Sequence, residues 1–138
     1  MTNCTSAIHA SLLASGVKRN DEVIVPAYTW GGTITGLLQI GAVPVFADID
    51  DTLTLDVDDI KSKITGKTKA VIAVHLFGHP CDMESLTTIC SQNNLALIED
   101  CAQAFGAKIN GRYVGSFGIG CFSFGYRKPL SAAICNIR

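Results

Sequence analysis

Residues 69–80 read KAVIAVHLFGHP. From Ala70 to Val74 every side chain is apolar, with no alternation of polar and apolar positions. A strand with one wet face alternates. An unbroken apolar run suits a strand buried on both sides, and such strands belong to parallel sheets covered by helices. Gly78 and Pro80 then end the strand in a loop.

The pattern repeats in both directions. Downstream, DMESLTTICSQNN (82–94) reads as a helix capped by Asp82, and LALIEDCAQAFG (95–106) as a strand with Glu99 and Asp100 at its carboxyl end. GAKINGRYVGS (106–116) predicts a hairpin around Asn110-Gly111, and GCFSFG (120–125) a last strand. Upstream, DVDDIKSKIT (56–65) gives a polar helix, and VPVFADID (43–50) a strand running into Asp48, Asp50 and Asp51. GGTITGLLQIGA (31–42) gives a helix closed at Gly41, DEVIVPAYTW (21–30) a strand over residues 22–25, and TSAIHASLLASG (5–16) a helix stopped at Gly16. Strands separated by crossover helices predict one unit: a three-layer α/β/α fold with a mostly parallel sheet.

Composition agrees with heavy burial. Hydrophobic residues make up 48% of the 138 and charged ones 17%, against roughly 25% charged in ordinary domains. A net charge of −1 without a basic block leaves no footprint for nucleic acid. Apolar runs are too short to cross a bilayer. The opening MTNCTSAIHAS has neither the basic start nor the apolar core of a signal peptide. Six irregularly spaced cysteines without a CxxC pair read as buried thiols in a reducing compartment, so the expectation is a cytoplasmic protein.

In parallel sheets ligands sit at the carboxyl ends of the strands. Tyr28 to Trp30, His75, Asp100 to Gln103 and Lys128 all follow strands, which nominates one shared site. Thr5-Ser6 opens a helix and either caps it or helps bind a phosphate. Of the adjacent acids Glu99 and Asp100, one is expected to point inward and to need a partner. Lys128 precedes Pro129, which favours extended backbone. In an apolar setting its amine would lose its charge more readily and become a nucleophile; in water it would be an ordinary surface charge. His75 and His79 lie four apart with Cys81 and Asp82 nearby, but Gly78 and Pro80 make this a loop rather than a helix face, so no metal is expected.

Taken together, TNCTSAIHA, DEVIVPAYTWGGT, GAVPVFADID, VIAVHLFGHPCDM, IEDCAQAFGA, GRYVGSFGIGCFSFG and RKPLSA follow one another as in the DegT/DnrJ/EryC1/StrS family. The sequence resembles those fold-type-I, pyridoxal-phosphate (PLP) dependent aminotransferases over nearly all of residues 3–131. Such enzymes place amino groups on nucleotide-linked keto-sugars for polysaccharides and antibiotics, taking them from donors such as glutamate or glutamine. The resemblance implies that Lys128 forms the internal aldimine with PLP and moves protons as acid and base. It implies that Asp100 pairs with the pyridine nitrogen and that Gln103 lies beside the phenolic oxygen. Trp30 would stack on the ring, while Thr5, Ser6, the Ala7 amide and Ser123 would form the phosphate cup. His75 would lie near the site without a step of its own.

The sequence departs from the family pattern in places. Cys4 stands where glycine is frequent, and AICNIR follows KPLSA where an acid and a glycine pair are usual. The resemblance implies that residues 1–138 are a fragment of the large domain, without the C-terminal small domain, and that the full-length form is a homodimer. An inactive fragment, or a non-catalytic regulatory protein of PLP fold, is the alternative to an active transaminase. A hydrolase using a metal on His75 and His79 is a third reading.

Overall fold

A computed structural model describes residues 3–131. Cys135 and the AICNIR run lie outside the described residues. Among the described residues, seven strands and four α-helices follow in the order α1 (Cys4–Ala14), β1 (Glu22–Pro26), α2 (Gly31–Ile40), β2 (Val43–Ala47), α3 (Val57–Lys63), β3 (Thr68–Val74), α4 (Met83–Gln92), β4 (Ala96–Asp100), β5 (Lys108–Ile109), β6 (Arg112–Tyr113) and β7 (Ile119–Cys121). A 3-10 turn, Leu76–Gly78, follows β3.

Five of the strands form one sheet in the order β2-β1-β3-β4-β7, and every pair in it is parallel. The unbroken apolar run of β3 lies in its centre, where both faces need covering. Along each central strand the side chains alternate between two cores. Val23, Val25, Ala70, Ile72 and Ile98 pack with Ile8 and Leu12 of α1 and Leu37 of α2. Ile24, Val71, Ala73 and Leu97 pack on the opposite face with Ile60 of α3 and with Leu86 and Ile89 of α4. Full burial of one such Leu or Ile contributes about 1.5–3 kcal/mol. These contacts hold the three layers together.

The helices start and stop where their ends are satisfied. Asn3, not Thr5 or Ser6, caps α1: its Oδ1 accepts the Ser6 amide at 2.8 Å. Asp56 caps α3 and Asp82 caps α4 in the same way. Gly41 ends α2 with φ 79°, a left-handed residue at the usual glycine position. At Gly36 a Cβ would lie 3.1 Å from the His9 nitrogen and 3.2 Å from the Thr5 oxygen, so the missing side chain lets α2 close on the start of α1.

The hairpin forms at Asn110-Gly111, with φ 49° and 78°, between β5 and β6. The last strand differs from the expected GCFSFG. It covers Ile119–Cys121, pairs with Ile98–Asp100, and ends when the Cys101 amide binds the Cys121 oxygen at 2.8 Å. Beyond Asp100 β4 offers no further ladder, so Phe122 to Phe124 leave the sheet.

Candidate active site

The carboxyl ends of β1, β3, β4 and β7 open on one side of the sheet, beside the first turn of α1. A cavity lies there, and Thr5, Trp30, Asp100, Gln103, Ser123 and Lys128 stand in its wall. These six and His75, all nominated from the sequence, are therefore brought together, although they are spread over more than 120 positions of chain. Ser6 and Ala7 do not line it. Their amides are spent inside the helix start, on Asn3 Oδ1 and on the Asn3 carbonyl at 3.1 Å.

Asp100 is the last residue of β4 and is 6% exposed. Its Oδ2 accepts from Thr33 Oγ1 at 2.8 Å, and its Oδ1 from the Ala102 amide at 3.0 Å and from Cys4 Sγ at 3.5 Å. The Cys4 thiol also reaches the Cys121 carbonyl at 3.4 Å, tying α1 to β7. Burial, reinforced by the Asp100 charge, pushes this thiol well above its usual range, so it stays protonated and acts as a weak donor.

Lys128 is half-buried in the turn after β7, and its backbone nitrogen donates to the Gly125 carbonyl at 3.0 Å. Its ammonium forms no ion pair among the described residues. Trp30, the residue before α2, is 77% exposed and presents a ring at the cavity wall. Gln103 Oε1 accepts the Phe77 amide at 2.7 Å, fixing the turn after β3, in which Phe77 has φ 53°. With the oxygen engaged, the amide nitrogen of Gln103 is the group left for the cavity.

The sequence expectation that only one of Glu99 and Asp100 points inward is not met. Glu99 is fully buried as well, on the other face of the sheet, because neighbours on a strand point to opposite sides. Glu99 accepts from the amides of Gly115 (2.6 Å), Phe117 (2.8 Å) and Gly118 (2.7 Å) and from His75 Nε2 (3.2 Å). Burial alone would raise its pKa. The bonds from His75 and from the Gly115 and Gly118 amides outweigh that and leave it below the ordinary value.

His75 is equally committed. Its Nδ1 accepts the Cys81 amide at 3.1 Å, so the ring proton sits on Nε2 and points to Glu99. His75, Glu99 and Cys101 lie close enough to suggest a metal. Both histidine nitrogens and both Glu99 oxygens are already used within the protein, so the cluster serves to lock the 115–118 loop onto β4. His79 is exposed and stands apart from it.

Thr33 and Cys4 are cavity residues that the sequence did not nominate for a role, and Thr29 was nominated only as part of the Tyr28 to Trp30 stretch. Thr33 is 2% exposed on an otherwise apolar helix face, and a buried hydroxyl there is the one local sign of a partner.

A parallel sheet between two helical layers, with its cavity at the carboxyl ends of the strands, is the fold of PLP-dependent aminotransferases. The chain belongs to the DegT/DnrJ/EryC1/StrS aminotransferase family, whose model matches residues 1–134. It is 48% identical over 133 residues to the GDP-perosamine synthase of Escherichia coli O157:H7, covering 95% of this chain and 36% of that protein. Its structure matches that of an aminotransferase from Psychrobacter cryohalolentis with a TM-score of 0.92 at 43% identity, over 95% of this chain and 34% of the other. The PLP form of a sugar aminotransferase from Streptococcus pneumoniae, described as putative, matches at TM-score 0.89 and 31% identity, over 94% and 38% of the two chains. The chain thus spans about a third of the length of the relatives it matches. No helix among the described residues is long and apolar enough to cross a membrane.

Proposed function

We propose that this chain is the PLP-binding large-domain part of an aminotransferase that moves an amino group from glutamate or glutamine to a nucleotide-linked keto-sugar. The observation that carries the reading is the convergence of Lys128, Asp100, Thr5, Ser123, Trp30 and Gln103 on one cavity. The named activity of the E. coli relative supports a nucleotide-sugar acceptor. Homodimerisation of the full-length form and a cytoplasmic location belong to the same reading. The location draws support from five described cysteines that are all free and buried.

The residues present fit a phosphorylated pyridine aldehyde. Thr5 and Ser123 offer hydroxyls in the cavity wall beside the start of α1, whose dipole favours a phosphate. Trp30 offers an aromatic face for a flat ring. Asp100, fixed by its three donors, holds the proton of a ring nitrogen. The Gln103 amide nitrogen donates to a phenolic oxygen. Lys128, free of any ion pair among the described residues, supplies the amine that binds the aldehyde carbon.

PLP, when bound, supplies a reactive carbonyl and a ring that accepts an electron pair. The chain supplies the rest. Asp100 keeps the ring nitrogen protonated and so keeps the ring electron-poor. Lys128 Nζ, standing in the same wall, would act as the base that takes a proton from the substrate carbon and then as the acid that gives one back.

Titrating PLP into the purified 138-residue chain and recording visible absorbance tests the cofactor; adding L-glutamate or L-glutamine to the loaded protein tests the donor. A yellow band that fades with the donor is expected. Absence of any band at millimolar PLP overturns the reading.

A further inference from the structure

The hydroxyl groups of Thr29 and Thr33 lie 3.0 Å apart, and Thr33 Oγ1 donates to Asp100 Oδ2 at 2.8 Å. A threonine has one hydroxyl proton. Thr33 gives that proton to Asp100, so toward Thr29 it can only accept, and Thr29 must donate. The chain of bonds therefore has one direction, Thr29 to Thr33 to Asp100, starting from a half-buried hydroxyl in the cavity wall and ending on the carboxylate. Each bond in such a chain polarises the next. Ala102 N and Cys4 Sγ complete the set on Oδ1, so only donors converge on Asp100 from the protein. The Ala102 amide lies two residues on and shares the backbone of Asp100. Thr33 and Cys4 reach Asp100 from packed helices 67 and 96 residues away, and the hydroxyl at 2.8 Å is a stronger tie to an independent element than the thiol at 3.5 Å.

We propose that Thr33, oriented by Thr29, is a positioning residue for Asp100, setting how firmly that carboxylate holds the proton of the cofactor's ring nitrogen. It rests on the functional reading above. Thr33 touches no reacting atom; it acts through Asp100. A hydrogen bond to a charged group is strong enough for its loss to be visible.

The test uses Thr33→Val, Thr33→Ser and Thr29→Val in the 138-residue chain, with Thr35→Val as control. Thr35 is on the same helix, but its hydroxyl binds the Gly31 carbonyl at 2.9 Å and faces away from the cavity wall. Three quantities are read: PLP affinity by absorbance, the pH midpoint of the visible band, and thermal stability. T33V is expected to bind PLP about tenfold more weakly and to displace the midpoint by about one unit, because the carboxylate facing the ring nitrogen is no longer held in place. T33S restores both by returning the hydroxyl. T29V moves the midpoint the same way by less, and T35V leaves it in place. Should T33V fail to fold, T33S and T29V still decide the matter, since neither removes the Asp100 contact outright. A midpoint in T33V or T29V equal to that of the wild type overturns the role of Thr33 while leaving the functional reading standing. Wild-type protein that binds no PLP overturns both.

Discussion

Glu99 and Asp100 are adjacent in sequence, yet their carboxylates are buried on opposite faces of the sheet. Asp100 enters the α1–α2 side, where Thr33, Cys4 and Ala102 surround it at the cavity. Glu99 enters the other side and gathers the amides of Gly115, Phe117 and Gly118 with the His75 ring. One acid lines the cavity. Its neighbour is spent on the fold, and both follow from the two-residue period of a strand.

Substitutions should separate these roles. Glu99→Gln puts an NH2 group among donor amides, so at least one loses its acceptor, and a loss of about 2–3 kcal/mol in chemical denaturation is expected. Asp100→Asn keeps the size and leaves Thr33 free to turn its hydroxyl, so the expected stability cost is about 1 kcal/mol or less. PLP binding and amino transfer should instead fall by about two orders of magnitude or more in D100N, since the ring proton loses its counter-charge. Equal effects of the two changes on both readouts would contradict the division.

The pH dependence of stability follows from Glu99. Its folded pKa lies below the ordinary value of 4.5, so the unfolded chain binds the proton more readily. The stabilisation is therefore complete above about pH 5 and is lost as pH falls through 4.5 toward the folded value. Denaturation midpoints measured from pH 6 to 3 should show a steep acid limb. In E99Q that limb should be shallower, because the variant no longer carries this proton linkage.

Much of this arrangement is legible in the sequence. The apolar run of β3, the Asp82 cap, the Asn110-Gly111 hairpin and the polar strand ends all carry local signals of 2.0 or 3.6 residue period or of turn chemistry. What escaped is long-range. The Thr33 and Cys4 contacts to Asp100 span 67 and 96 residues, and no local pattern reports them. The end of β7 escaped for a similar reason. FSF has strand composition, but a strand ends where its neighbour's ladder does, and β4 stops at Asp100. Thr5 looked like a cap because Asn3 caps equally well by composition and stands two residues earlier.

The pairing of β7 depends on a close approach that only glycine permits. A Cβ on Gly118 would fall on the Leu97 carbonyl of β4, well inside van der Waals contact, with Leu97 Cβ at 3.1 Å. Gly118 N is also one of the donors to Glu99. Gly118→Ala should therefore push the loop off β4 and cost about 1–3 kcal/mol. Gly66→Ala, where a Cβ meets nothing within 4 Å, provides the control and should change stability by about 0.5 kcal/mol or less. Similar melting temperatures for the two variants would show that β7 tolerates the displacement.

Lys128 supplies the most direct chemical test. The sequence holds six other lysines, and among the described residues only Lys128 stands in the cavity wall. A lysine that binds the PLP aldehyde is fixed to it irreversibly by borohydride, because reduction removes the bond's reversibility. Digestion and mass spectrometry of the reduced protein should find the added mass on the peptide containing Lys128 and on no other lysine. Lys128→Ala should abolish the label while leaving the melting temperature within about 2 °C, since the side chain makes no ion pair among the described residues. Non-covalent PLP binding should persist in K128A, held by Thr5, Ser123 and Asp100, at lower affinity. Label found mainly on Lys108 or Lys18, or retained in K128A, would place the reactive amine elsewhere and remove Lys128 from the site.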